Sequence, residues 1–536
     1  MTMFIRRFLL FPLFCSLLVI FIINPAQLNG AESRNISGFV FIDLNTNGLR
    51  DDGEPGLPNV AVSNQREVVM TDKEGRYTLP VREPMIIFVS KPADFELPRN
   101  KQNLPRFYYI HRPNGSPDGL KYPGIAPTGN LPDEINFPLY PAEFKENFKA
   151  LITGDPQPRD SVEVGYLRDD IISEMIGSDA SFYLALGDIA FDNLSIYDQY
   201  NRAVGQIGLP AFHVAGNHDI NFRVSSDTFS LETFNRIYGP EYYSFNYGRV
   251  HFVVLDNVEY LGWDRENKKS KGYRGYISAD QLLWLENDLN HVPDDVLIVL
   301  SLHIPLYTEI SSGASVNVVN REALFKLLEK RQQVLVLSAH MHILEHLYLG
   351  KDKGWPGEHE LYTMNLGAAC GAWWSGPKDP RGIPESYCLD GTPNGYFLFS
   401  FQGNRFNYRF VPANYHPDYQ LRISTPVGVL DRAALDTTQI IVNVFNADPD
   451  TRVFFQLNDQ PRQVMKRERR KDPFIQHYFR QNRDTFARWI SDVAETDHIW
   501  VGVLPANLPP GTHTLRVSAS DKRGNLFSGV RIFEVQ

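Results

Sequence analysis

Along the middle of the chain, compact apolar runs alternate with stretches of helical spacing. Residues 150–153, 182–186, 211–215, 250–255, 296–302 and 333–337 are nearly continuous in apolar side chains, as expected of strands covered on both faces. Between them, 166–176, 195–207, 279–289 and 321–330 place apolar residues three and four apart, the spacing of one helix face. This alternation predicts a layered α/β domain over residues 146–412.

The flanks carry a different pattern. Residues 35–100 hold short runs of alternating character separated by turns such as Asp72-Lys73-Glu74-Gly75, which predicts a small β-sandwich. The pattern resembles the B-repeats of bacterial surface adhesins and related prealbumin-like sandwiches. Asp43, Asn45, Asn47 and Gly48 have the spacing that opens a calcium-binding loop, so a structural calcium ion is one reading here. A polar turn rich in Asn and Gly is the other, and the simpler one. Residues 101–145, dense in Pro and without periodicity, read as a linker. Residues 418–536 return to short strands and predict a second sandwich, interrupted by a helical insertion over 472–493.

Composition narrows the class. The 536 residues exceed one domain, and 53 Lys and Arg against 63 Asp and Glu give a net charge of −10. Such a chain is not built to ride on a nucleic-acid backbone. Residues 1–31 have the order of a secretory signal: Arg6 and Arg7, an uncharged run over 8–23, then small residues up to Ala31. The run is shorter than the roughly 20 residues that cross a bilayer. Export to periplasm or medium is therefore expected, with an uncleaved membrane anchor as the alternative and association with the envelope following from either. Beyond the signal only Cys370 and Cys388 remain. They are too few for a thiolate metal site, and a disulfide and two buried thiols stay equally open.

The chemistry sits just past the apolar runs. Asp155 and Gln157 follow the first, Asp188 the second, Asn217 and His218 the third, His303 the fifth, and His340 and His342 the sixth. In an open α/β sheet the carboxyl ends of strands form the ligand crevice, so residues far apart in sequence converge. The donors are oxygen and nitrogen without thiolate, which suits Mn, Fe(II), Zn or Mg. Two divalent ions about 3.5–4 Å apart would hold an activated water and clamp phosphoryl oxygens.

In this order and spacing the motifs resemble the calcineurin-like metallophosphoesterase family, whose pattern runs D-x-H, GD, GNH-[DE], H and GH-x-H. The resemblance implies a four-layer metallophosphoesterase core between two smaller all-β sandwiches, as in bacterial exported members. It implies that Asp155, Gln157 and His342 hold one metal, that Asp188 bridges, and that Asn217, His303 and His340 hold the second. His218 would face the phosphate and serve as acid, a role suited to a group whose ordinary pKa is near about 6.5. Hydrolysis of a phosphate mono- or diester by a metal-bridging hydroxide follows as the expected activity. The chain departs from the pattern in three places: Gln157 replaces a histidine, Ser338-Ala339 replaces the glycine before His340, and Phe191 stands where purple acid phosphatases of this superfamily carry an iron-binding tyrosine.

Trp373 and Trp374, and Asn394 before a hairpin, resemble segments of the exported members that wall a substrate pocket; a core aromatic pair and a plain turn are the bland readings. Gln157 also leaves room for a different class, an envelope or surface binding protein that keeps a vestigial phosphoesterase scaffold.

Overall fold

A computed structural model describes residues 34–536. The segment read as a secretory signal lies outside the described residues. No helix among them is long and apolar enough to cross a membrane.

Two sheets stacked face to face form the centre. In the first, the strand order is Ala211–Val214, Phe182–Leu186, Asn147–Thr153, Gly395–Gln402 and Arg405–Pro412. Its first three strands are parallel, Gly395–Gln402 pairs antiparallel with Asn147–Thr153, and Arg405–Pro412 completes a hairpin with Gly395–Gln402. In the second, Tyr243–Tyr247, Val250–Val254, Leu297–Ser301, Val334–Ser338, Leu361–Asn365 and Glu345–Leu349 lie in that order, with four parallel strands in the middle. Side chains of period two divide the first sheet between two cores. Ala150, Ile152, Phe182, Leu184, Phe212 and Val214 face the other sheet. Leu151, Tyr183 and Ala185 face the opposite way. Between the sheets the contact is aromatic: Phe212 stacks on Phe245 at 4.0 Å, and Phe182 meets Phe252 edge-on at 5.0 Å.

Helices close both outer faces. Ser161–Leu167 continues through a wider turn at Arg168–Ile172 and, with Tyr197–Val204, covers the first sheet. Asp160 caps the former, accepting the N–H groups of Val162 and Glu163, which leaves its apolar stripe free to pack. Ala279–Leu289 and Arg321–Leu328 bury Trp284, Leu285, Leu324 and Phe325 against the second sheet. The result is four layers, α/β/β/α.

A sandwich flanks each side. The first pairs the sheet Arg76–Pro80, Asn35–Ile42, Phe137–Pro141, Phe95–Glu96 with the sheet Val68–Met70, Ala61–Ser63, Met85–Val89, Tyr108–His111. Residues 101–145 are therefore no linker. They supply Tyr108–His111 and Phe137–Pro141, and the latter sits inside its sheet. These strands are too short, and too close to prolines, to carry a legible period, and pairing with distant strands creates them. The second sandwich joins the sheet Leu421–Thr425, Gln439–Val444, Ile499–Val503, Lys466–Arg467 to a five-stranded sheet built around the long hairpin Gly511–Ser520 and Leu526–Val535. Between Lys466–Arg467 and Ile499–Val503 lies the helix Pro473–Gln481 with its following loop.

Candidate metal centre

Each residue expected to coordinate stands two to four positions beyond a parallel strand, on the same edge of the two stacked sheets. Asp155, Gln157, Asp188, Asn217, His303 and His342 are all buried there, and His340 nearly so. Asp188, His303 and His340 each offer a ligand atom within 4.8 Å of the others. His303 Nε2 lies 3.1 Å from Asn217 Oδ1 and 3.3 Å from Asp188 Oδ1, and 3.2 Å from His340 Nδ1. His342 Nε2 stands 4.0 Å from Asp155 Oδ1.

The backbone is bent to bring them together. Asp155, Gln157, Asp188, His340 and His342 all have positive φ, from 37° to 75°, a conformation that costs side-chain-bearing residues about 1 kcal/mol or more. Two glycines permit the approach. A Cβ at Gly187 would stand 2.4 Å from His303 Nδ1, and one at Gly216 only 2.1 Å from the backbone nitrogen of Asp188. The Gly-Asp and Gly-Asn-His signatures thus record steric contact between neighbouring loops.

Do these residues fit two cations? The three histidines answer through their outward nitrogens. His303 Nδ1 donates to Leu186 O at 2.8 Å, His340 Nε2 to Ser315 O at 3.0 Å, and His342 Nδ1 to Gly371 O at 2.7 Å. A carbonyl only accepts, so each outward nitrogen carries a proton and the inward one is left to face the carboxylates and its neighbours. The inward nitrogens of His303 and His340 stand 3.2 Å apart with Asn217 Oδ1 beside that of His303, a donor set for a cation that takes the place of the His303 Nε2 proton. Electrostatics agree. Burial pushes Asp155 up to about 7, with Asp188 adding to it. Burial works against charge on His303, yet Asp188 and Asp155 raise it to about 9. Burial also opposes ionisation of Asp188, but His303 and His218 hold it well below the carboxylate range. Burial holds His340 down at about 3 and His342 at about 4. Two buried carboxylates with no Lys or Arg partner among the described residues need positive charge from elsewhere. The donors fit divalent ions.

Gln157 lies inside the cluster, its Nε2 donating to Asp188 Oδ2 at 2.8 Å. Cys370 Sγ is 3.7 Å from both Gln157 Oε1 and His342 Nδ1. Cys370 and Cys388 are both free and buried, and burial keeps both thiols protonated.

His218 stands at the rim. Its amide N–H donates to Asp188 Oδ1 at 2.9 Å, its Nδ1 pairs with Asp192 Oδ1 at 2.7 Å, and its ring stacks on Phe191 at 4.4 Å. Burial opposes its charge, but Asp188 and Asp192 outweigh that and hold the imidazole above its ordinary value.

Sequence reasoning missed four groups. Asp192 was legible as the second aspartate of GDIAFDN. Asp219, the last residue of GNHD, is buried and accepts N–H groups from Ile189, Ala190 and Gly216 and the Tyr197 hydroxyl, tying the two metal loops together. Tyr273 stands edge-on to His340 at 6.0 Å. Trp489 had no local signal at all. It comes from the helical insertion of the C-terminal sandwich and lies parallel to Phe191 at 5.7 Å and edge-on to Trp373 at 6.2 Å. Trp373 in turn stacks on His342 at 4.1 Å. An unbroken row of rings thus runs from His218 to His342, with Trp489 52% exposed in its middle.

The pocket residues expected beside Trp373 are corrected. Trp374 is buried under the loop, its Nε1 donating to Pro156 O at 2.9 Å. Asn394 is buried too, its amide spent on Asp170 and the Ala369 carbonyl. Both stand behind the wall, with Trp374 Nε1 and the Asn394 amide nitrogen already partnered inside the protein.

Comparison with known proteins agrees with this geometry. Residues 44–122 match the family model for the N terminal of calcineurin-like phosphoesterase, residues 148–344 calcineurin-like phosphoesterase itself, and residues 363–527 the C terminal of that family. Purple acid phosphatase 15 of Arabidopsis thaliana is 25% identical over 217 residues, 34% of this chain and 38% of that one. A probable glycerophosphodiester phosphodiesterase of Arcobacter nitrofigilis is 30% identical over 150 residues, 27% of this chain and 50% of that one. The chain thus spans half or less of the length of these two relatives. Among solved structures, a dimetal phosphatase from Danio rerio aligns with a TM-score of 0.34 at 16% identity, over 49% of this chain and 95% of the other. With the three family models laid end to end along nearly all the described residues, and the middle one spanning the ligand loops, the chain belongs to the calcineurin-like phosphoesterases.

Proposed function

We propose that the chain is a two-metal hydrolase of phosphate esters, exported by the segment ahead of residue 32. The observation that carries the activity is the inward convergence of His303, His340, Asp188 and Asn217 beside the His218–Asp192 pair. Asp155, Gln157 and His342 would hold one ion, Asp188 both, and Asn217, His303 and His340 the other. When bound, Mn, Fe, Zn or Mg would supply an acidified water and charge for the phosphoryl oxygens.

The protein's own groups do the rest. With Nδ1 engaged by Asp192, His218 keeps Nε2 for the substrate. Its raised proton affinity lets it deliver a proton to the departing alkoxide oxygen. Stacking on Phe191 fixes the ring while it does so. Burial of the cluster keeps bulk water from screening these charges. The rings of Phe191, Trp489 and Trp373 line the side between His218 and His342, so the organic part of the ester would rest there. The relatives' printed names include a phosphatase and a phosphodiesterase, and both ester classes are tested below.

Protein stripped with chelator and reloaded with manganese is assayed on a chromogenic phosphomonoester and a phosphodiester. Metal-dependent turnover of either supports the proposal. Two bound ions with no turnover of any phosphate ester in a broad screen would point to the surface-binding alternative. Export is tested separately, by fractionating cells that express the full chain and sequencing the mature N-terminus.

A further inference from the structure

The wall of rings beside the metal centre carries a charge that the hydrolysis itself does not use. Arg159 follows Gln157 and Pro158 out of the first metal loop, just ahead of the helix Ser161–Leu167. Its guanidinium carbon stands 5.8 Å from the centre of the Trp489 ring, within the reach at which a cation is drawn to an aromatic ring. Trp489 is the exposed middle of the row that runs from His218 to His342. Arg159 therefore borders the surface on which the organic part of the ester would rest.

Its backbone and its side chain are both held there. The Phe191 N–H donates to Pro158 O at 3.0 Å, and Asn193 Nδ2 to Arg159 O at 2.9 Å, so the residue is tied to the loop that carries Asp188. Glu163, four residues on and only 7% exposed in its side chain, orients the guanidinium. Its Oε1 accepts from Nε at 2.7 Å and from Nη2, and its Oε2 accepts the Arg159 N–H at 2.7 Å. A guanidinium presents its N–H donors as a planar fork, and Glu163 takes one edge of it. Nη1 makes no hydrogen bond among the described residues, and the Arg159 side chain is 38% exposed. An ion pair that served the helix start alone would not need the fork beside the most exposed ring of the wall. The chain has a net charge of −10, yet two arginines adjoin this ring, Arg159 in space and the exposed Arg488 in sequence.

We propose that Arg159 is a specificity-determining residue, whose Nη1 edge takes a second oxyanion on the organic part of the ester while the metal centre holds the phosphorus that reacts. The substrate class is then a phosphate ester with a flat organic part that lies on Trp489 and carries a negative charge beyond it. This rests on the two-metal reading of the centre and narrows its substrate. A guanidinium already fixed by Glu163 loses little freedom on binding, so a charge-assisted hydrogen bond to it is gained at small entropic cost. Glu163 also offsets the charge at long range, so the preference depends on contact with the outward edge.

Carboxyphenyl and carbamoylphenyl phosphates share a shape and differ by a single charge. Each is offered, as the phosphomonoester and as the methyl phosphodiester, to the full chain loaded with manganese. The carboxylate is expected to be preferred by about tenfold in kcat/KM, mostly through KM. Arg159→Gln should bring the ratio to within about twofold of unity, and Arg159→Lys should keep part of it, because lysine supplies charge without the fork. Circular dichroism and metal analysis show that the variants are folded and loaded. Equal use of the two esters by the unaltered chain overturns the proposal. So does a preference that survives in folded, metal-loaded Arg159→Gln. Both results leave the phosphoesterase reading standing, whereas no turnover of any ester offered removes that reading and this one with it.

Discussion

His218 is held from two directions by two aspartates: its backbone N–H gives to Asp188 and its Nδ1 pairs with Asp192. The carboxylate at the heart of the metal cluster therefore also sets the position of the proposed acid. Asp192→Asn keeps the shape but loses the charge. Turnover of esters with poor alkoxide leaving groups is expected to fall about 10- to 100-fold, with a much smaller loss for nitrophenyl esters, which leave without a proton. Equal losses on both would assign His218 to binding instead.

Removing cluster ligands should remove metal first. Asp188→Asn and His340→Ala are expected to lower bound metal, read by elemental analysis of dialysed protein, along with nearly all turnover. His218→Ala, which alters only the rim, should keep the ions and lose rate.

Gly216→Ala tests the steric argument. Its Cβ would meet the Asp188 backbone nitrogen at 2.1 Å, so the two loops must part. Metal affinity should drop at least about tenfold, while the protein remains folded by circular dichroism. Unchanged affinity would show that the loops have slack.

Trp489→Ala interrogates the aromatic row. If the organic part of the ester rests against it, KM for aryl esters should rise about 5- to 20-fold, with kcat nearly unchanged and short alkyl esters little affected.

Two buried histidines away from the centre make a pH prediction. Burial holds His213 and His346 at about 3, against about 6.5 in an unfolded chain. The unfolded state then binds more protons between those values, so stability is full above about 6.5 and falls as pH drops toward 3. His346 sits between the Tyr362 hydroxyl and Asn446 Oδ1, so His346→Gln removes a titrating group at the seam with the C-terminal sandwich. Denaturation midpoints at pH 7.5 and 5 should differ less in the variant. Its stability at pH 7.5 should be lower by on the order of 1–3 kcal/mol.

What the amino-acid sequence determined by itself was the α/β alternation and the place of every proposed ligand past a strand end. Both rest on short-range regularities: apolar runs, period two, and glycines beside aspartate and asparagine. Short range is also where it stopped. Tyr108–His111 and Phe137–Pro141 exist as strands only because distant partners pair with them. Trp374 and Asn394 were drawn into the interior by partners at Pro156 and Asp170, and Trp489 reached the centre from the far sandwich. Tertiary structure decided these points because strand pairing, hydrogen-bond satisfaction and ring contact depend on residues well outside the local stretch, which no local pattern encodes.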